Sequence, residues 1–288
     1  MLNINTNTGA IVAAKAAKNA QKMMDDAMIR LSTGKKLNSA KDDPGSLSVA
    51  IRMTAEINGL SVSLRNANDA QAAVDTSEAA LNEISTLLLR MRELAVQAST
   101  ETTTTADRNA LETEVTALET EITRIGSSTS WGGINLLDGS YSSGKPIVFQ
   151  IGPNAGNNIA VTLGFITASA ASGNSSNAQG QLALTGDVTT RTSASNFIAS
   201  VDAAISIVST RRGSLGAISN RLDSTISNLQ NMRANIQTAK GQIEDADYAT
   251  ETAKSARAQI LLQAAMAMLS QANASKSQTL QLINGLRN

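Results

Sequence analysis

AQILLQAAMAMLSQANAS, residues 258–275, carries no charged side chain, yet its glutamines, serines and asparagine make it too polar for a membrane span. Ala258, Leu261, Ala265, Met268 and Ala272 recur at steps of three and four, and the rhythm reaches Leu282 and Leu286. That spacing predicts a helical seam of heptad type. Ile260, Leu262, Ala264, Met266, Ala267 and Leu269 lie off this seam and are apolar as well. A helix that is apolar nearly all round must be enclosed.

Working outward, the same rhythm appears at the other end of the chain in Ala10, Ala13, Ala17, Ala20, Met24, Ala27 and Leu31. The two segments are expected to pair as helices. They cannot cover each other completely, because the C-terminal one has more than one apolar face. The remaining cover is expected from other molecules, most simply copies of the same chain. A helix of this length, rich in alanine, is marginal in water alone, so the terminal helices are expected to be loose in a monomer.

Composition narrows the function classes. The chain has 288 residues, enough for one or two domains with a real core. Its 24 basic residues balance 24 acidic ones, so charge indicates no nucleic-acid partner and no membrane-surface partner. Aromatic residues make up 2%, with Trp131 the sole tryptophan. Cores must therefore be built from Ala, Leu, Ile, Val and Met, which suits close helix packing. There is no histidine and no cysteine, which removes thiol and histidine nucleophiles, zinc sites with those ligands, and disulfides. No cofactor is expected, and an enzyme is the class least supported. The opening MLNINTNTGA lacks the basic and apolar regions of a cleaved secretory signal. No run of about 18 apolar residues exists, so no transmembrane helix is expected.

In chain order, the first helix is expected over about 10–32, ending near Gly34. A connector follows in LSTGKKLNSAKDDPGSLSVAIR, 31–52, with Lys35, Lys36, Lys41, Asp42 and Asp43 in close succession. It reads either as a solvated turn or as a joint whose charges meet charges on neighbouring subunits. A long helical pattern spans about 45–99, roughly 80 Å at the helical rise, with a slip near Glu78 where the winding should change. After STETTTTA, 99–106, Asp107 is the expected N-cap of a helix marked by Leu111, Val115, Leu118, Ile122 and Ile125 and stopped by Gly126. This helix should fold back antiparallel on the preceding one. Alternation of Ile147, Phe149 and Ile151, and of Ile159, Val161 and Leu163, predicts a β-hairpin within 145–165 turning at Gly152–Asn158. Residues 166–195 read as a weakly patterned surface excursion. A helical pattern returns over about 194–242, and the acidic QIEDADYATE, with Glu244, Asp245 and Asp247, forms a second joint before the terminal helix.

The order is nearly mirror-symmetric, so the chain goes out and returns. The fold class expected is mainly α: long antiparallel coiled-coil-like helices, a small β-hairpin, and paired N- and C-termini. The division expected is 1–43 with 245–288 as a terminal coiled-coil domain, 44–165 with 194–244 as a helical rod domain carrying the hairpin, and 166–193 as a small outer excursion. Glycine-rich pieces do not make a nucleotide site: in GSYSSGK, Gly139–Lys145, Pro146 and a strand follow where a P-loop needs a hydroxyl and a helix. The acidic clusters lack EF-hand spacing, so no metal is expected.

Three separated motifs resemble bacterial flagellin: LSTGKKLNSAKDDPGSLSVA (31–50), LLRMRELAVQAS (88–99) and IEDADYATET…RAQILLQA (243–264). The likeness covers roughly 1–140 and 195–288, with a reduced outer part between. It implies a secreted, extracellular structural subunit that polymerises with itself into the flagellar filament for motility, its terminal helices lining the interior of the tube. Ala13, Ala17, Ala20, Met24, Leu31, Leu261, Ala265, Met268, Ala272 and Leu282 are then the expected polymerisation seam, and Lys35, Lys36, Asp42, Asp43, Glu244, Asp245 and Asp247 the joint. Partners implied are a filament cap protein, hook–filament junction proteins, an export chaperone holding the C-terminal segment, and the flagellin-sensing Toll-like receptor of hosts. Carried over by position, Arg90, Leu94 and Glu114 are the implied receptor residues. Two rivals are a junction protein of the same family, against which IEDADYATE and RAQILLQA speak, and a membrane-active amphipathic helix, which would need basic polar faces that 258–275 lacks.

Overall fold

A computed structural model describes residues 6–138, 146–162, 166, 182 and 184–285, with side chains described as far as 278. The chain divides into two compact units, Met1–Ile57 with Asn235–Asn288, and Asn58–Ala234. The division falls inside two long helices, α2 (Pro44–Ala98) and α4 (Arg191–Glu244), which run through both units. The sequence division at 43/44 and 244/245 places it instead at the ends of those helices.

In the first unit, α1 (Thr8–Thr33) pairs antiparallel with α5 (Tyr248–Gly285). The Asn7 amide donates to the Ala272 carbonyl at 3.1 Å at one end, and the Tyr248 hydroxyl to the Leu31 carbonyl at 2.9 Å at the other. Asn7 caps α1 by accepting the Ala10 amide at 3.0 Å. Gly34 ends the helix in the left-handed region at φ 70°, which a residue without Cβ adopts at little cost. Ala13, Ala20 and Ala27 are buried, one per heptad, with Ala17, Met24 and Leu31 half-buried between them. Small side chains at the repeating position let the two backbones approach closely.

The second unit packs α2, α3 (Thr105–Ser128) and α4 around one aliphatic core. On α2, Leu60, Ala67, Val74, Leu81, Leu88 and Ala95 are buried, and so are Ser63, Ala70, Ser77, Ile84, Met91 and Ala98. Both series step by seven, so the heptad runs without interruption. The slip expected near Glu78 is absent. Two serines stand at seam positions and hide the rhythm from an apolar reading, and the Ser77 hydroxyl is satisfied by the Ala73 carbonyl at 2.8 Å. On α4, Ala194, Val201, Val208, Leu215, Leu222 and Leu229 hold the matching seven-residue repeat.

α2 lies between its two partners. Arg90 donates to Glu114 of α3, whereas Arg92, two residues on and thus on the opposite side of the helix, donates to Asp202 of α4. Arg212 of α4 reaches Glu78 at 2.7 Å, fixing the antiparallel register. α3 starts one turn from the expected cap: Thr104 is the N-cap, and Asp107 closes a capping box by accepting the Thr104 amide at 3.1 Å.

Two antiparallel strand pairs complete this unit. β1 (Ser130–Trp131) and β2 (Ile134–Asn135) form a hairpin across Gly132 and Gly133, at φ 57° and 81°. It lies in a stretch read only as a loop, although two glycines between short strand residues are a hairpin signal. β3 (Ile147–Gln150) and β4 (Asn158–Val161) pair as expected, with Phe149 opposite Ile159. Their turn rests on α2, where Pro153 meets Gly59, and the Asn66 amide donates to the Gln150 carbonyl at 2.9 Å. The stretch read as a surface excursion is anchored at both ends. Ile166, Leu182, Leu184 and Val188 are buried in the shared core, and the Val188 amide donates to Glu112 of α3 at 2.8 Å. Leu163 of the expected strand, and most of 167–183, lie outside the described residues.

Candidate assembly surface

The two joints meet. Lys35 and Asp245 form a β-bridge, in which the Lys36 amide donates to the Glu244 carbonyl at 2.7 Å and the Ala246 amide to the Gly34 carbonyl at 2.9 Å. The Lys35 ammonium lies 2.5 Å from the Glu244 carboxylate, which Lys240 also approaches at 3.4 Å. The Lys35 hydrogen bond holds the Glu244 carboxyl below its usual range. The three remaining aspartates named at sequence level cap backbone. Asp42 accepts the amides of Ser39 and Asn38. Asp43 accepts those of Gly45 and Ser46 as α2 opens on Pro44. Asp247 accepts those of Ala249 and Thr250 as α5 opens. Each is held below the usual carboxylate range, Asp42 by its Ser39 amide, Asp43 by the Ser46 hydroxyl and Asp247 by the Thr250 hydroxyl. Lys35, Glu244 and these three aspartates thus have partners within the chain.

One turn beyond, the acid Glu251 is 5% exposed. One carboxylate oxygen receives Lys254 at 2.7 Å and Arg30 of α1 at 3.3 Å. Sequence reading did not single it out. Its signal is a lone acid on a helix face that is otherwise small or apolar.

Glu251 sets the register of α5. From it, the face turned towards α1 runs through Ser255, Ala258, Leu262, Ala265, Leu269 and Ala272, all buried or half-buried. Ala258, Ala265 and Ala272 are where the sequence reading has them. Leu261 and Met268 are not on this face, being 46% and 64% exposed, and Leu262 and Leu269 take their places. The sequence is degenerate here: Leu261–Leu262 and Met268–Leu269 are adjacent apolar pairs, and a 3/4 rhythm accepts either member. Leu282 lies outside the described side chains.

Leu261 and Met268 instead line an apolar groove along one side of the α1–α5 pair, about 690 Å³ in volume, together with Val12 and the small residues Gly9, Ala13 and Ala264. Around the pair, Ile11, Met23, Met28, Ile29, Ile260 and Met266 are exposed too. Such a concentration of exposed large apolar side chains marks an interaction surface.

Comparison with known proteins decides what class of assembly this is. Residues 4–142 match the bacterial flagellin N-terminal helical region, and residues 198–283 the bacterial flagellin C-terminal helical region. The chain belongs to the bacterial flagellin family. It is similar to flagellin B of Vibrio cholerae, 30% identical with 98% of this chain and 99% of that one covered. It is also similar to the flagellin of Halalkalibacterium halodurans, 37% identical with 89% and 90% covered. The Vibrio alignment runs over 376 positions against 288 residues here, so that relative carries added length. Among solved structures, a putative flagellar hook-associated protein from Vibrio parahaemolyticus shares the fold, at TM-score 0.57 and 16% identity, over 71% of this chain and all of the other. As a flagellin, the chain is a structural subunit of the bacterial flagellar filament, an extracellular self-polymer that serves motility. Among the described residues no helix is long and apolar enough to cross a membrane, and no group of acidic residues is arranged to hold a metal.

Of the three implied receptor residues, two stand on the flagellin surface. Arg90 Nη2 and Glu114 Oε1 are 2.9 Å apart, on exposed faces of α2 and α3, and Glu93 also receives Arg90 at 3.2 Å. Leu94 is 1% exposed and belongs to the core, so it does not stand on the surface with Arg90 and Glu114. The reason is the second helix: Leu94 follows Arg90 by one turn, on the side that α3 covers. A single-seam reading of α2 leaves that side open to solvent.

Proposed function

We propose that the subunit polymerises through the faces of α1 and α5 that their pairing leaves uncovered. The observation that carries this is the exposure of Leu261 and Met268 beside Val12 in an apolar groove, on helices whose inner faces are already matched to each other. Burying such surface is favourable by roughly 25 cal/mol per Å², and every added subunit repeats the gain. The neutral Gln259, Gln263 and Gln271 suit a lining along which other subunits travel without being held electrostatically. The test is seeded elongation followed by negative-stain microscopy. Leu261→Ala with Met268→Ala should raise the concentration needed for growth while leaving the α-helical content of the soluble chain unchanged. Normal growth would remove these residues from the interface.

The same exposed surface calls for cover before assembly, which supports an export chaperone holding the C-terminal segment. A filament cap and hook–filament junction proteins, both implied by the family likeness, would meet the chain ends through the same surface.

A second reading concerns host sensing. The exposed Arg90–Glu114 pair supports recognition by the flagellin-sensing Toll-like receptor, with Leu94 holding α2 under α3 and not itself touching the receptor. Receptor signalling by the monomer should be lost in Arg90→Ala with Glu114→Ala. Unchanged potency would sink the assignment.

A further inference from the structure

Met23 and Met28 on α1, and Met266 and Met268 on α5, are all exposed large apolar side chains. They lie on the terminal pair, with Met268 in the wall of its groove. Met91, by contrast, is 0% exposed inside the α2–α3–α4 core. Thioether oxygenation follows access of the oxidant to sulfur. These four sulfurs are therefore open to peroxide, as is that of Met232 on α4, outside the terminal pair, while the core sulfur is shielded.

We propose that these four methionines form an oxidation site that controls assembly competence: a peroxide converts them to sulfoxides in the free subunit and thereby blocks growth of the polymer. The inference rests on the assembly reading above. In each event the thioether sulfur attacks the peroxide and the O–O bond breaks. One oxygen is transferred to sulfur, the other leaves as water, and sulfur is oxidised by two electrons. The product is a polar, chiral acceptor where a flexible apolar group had been. An acceptor carried into an apolar interface without a donor opposes burial. Exposed on a free subunit, the sulfoxide is hydrated, so the fold of the single chain is left intact.

Leucine was not used at these four positions, although it fits such surfaces with similar volume. Free subunits are thus chemically vulnerable, whereas polymerised subunits, with the same groups covered, are protected. Because sulfoxide formation is reversible by methionine sulfoxide reductases, the block can be lifted.

The experiment treats soluble full-length chain with hydrogen peroxide, maps oxygen addition by peptide mass spectrometry, and measures elongation from untreated seeds. Untreated chain is carried alongside, and its growth tests the assembly reading by itself. Treated chain should show oxygen at Met23, Met28, Met266 and Met268 but not at Met91. The concentration needed for growth should rise by about tenfold or more, and reductase treatment should restore it. Chain carrying Met23→Leu, Met28→Leu, Met266→Leu and Met268→Leu should elongate equally with and without peroxide. Assembled filaments supply an arm that needs no variant, since their four methionines should resist oxidation. Untreated chain that grows while fully oxidised chain grows equally well would overturn the inference, as would oxidation of these methionines in filaments at the rate seen in free chain.

Discussion

Arg30 of α1 and Glu251 of α5 are bound at 3.3 Å, and the glutamate is nearly enclosed between their helices. Lys254 shares the same carboxylate oxygen at 2.7 Å. The Lys254 hydrogen bond holds the Glu251 carboxyl below its usual 4.5, with further help from Arg30 and against the opposing effect of burial. A carboxylate whose folded pKa is lowered contributes stability above its unfolded pKa and loses it as pH falls through the folded value. Glu244 behaves alike, through Lys35. The terminal pair should therefore loosen as pH falls below the ordinary glutamate value of 4.5, with amide exchange in α1 accelerating first. Glu251→Ala should produce the same loosening at neutral pH, at a cost of about 2 kcal/mol.

The register of α5 gives a paired test. Leu262→Ala should weaken α1–α5 pairing in the soluble chain by about 1–2 kcal/mol, as for a half-buried leucine. Leu261→Ala should leave that pairing within about 0.5 kcal/mol, as for a surface site. Denaturation of the soluble chain separates the two, and the opposite ranking would restore the seam on Leu261 and Met268.

Glycine at 126 is required by contact. A Cβ there would overlap the carbonyl oxygen of Ile166, whose amide is held by the Leu137 carbonyl at 3.0 Å. Ordinarily glycine to alanine near a helix end is tolerated or mildly stabilising. Here Gly126→Ala should destabilise by about 1–3 kcal/mol, because the displaced segment carries the buried Ile166 side chain. Thermal unfolding reads this directly.

Glu119 on α3 is raised to about 7, by burial first and by the nearby Glu112 charge second. The sign is opposite to that of Glu251. A carboxyl with a raised folded pKa favours the fold fully below its unfolded value near 4.5, and that contribution is lost as pH rises through about 7. The folded chain should be more stable at pH 5 than at pH 8, by about 1 kcal/mol after allowance for solvent screening. Glu119→Gln should flatten this dependence and raise stability at pH 8, as measured by denaturant titration across that range.

Much of this molecule can be read in its sequence because helices seal apolar stripes at a fixed period. Ala13, Ala20 and Ala27 are legible for that reason, as are Gly34 at the end of α1 and the Gly152–Asn158 turn. What escapes reading is equally physical. Ser63 and Ser77 break an apolar pattern without breaking the packing, and the Ser77 hydroxyl is buried because it is bonded to its own helix. Leu94 depends on a third helix, and α5 on a choice between adjacent apolar residues that only the Glu251 contact resolves. The joint aspartates are visible as charge, but their backbone partners appear only once the turns are formed.

The bridge between Lys35 and Asp245 also bears on the order of events in time. Residues of α1 and α5 that touch are separated by more than two hundred positions along the chain, and joining them directly would mean closing a very large loop. Once 35 and 245 are clasped, that search is over. Ile29–Arg30 and Glu251 are then near neighbours, and the two helices can close from the clasp towards Asn7 and Ala272 as a zip fastener closes from its stop.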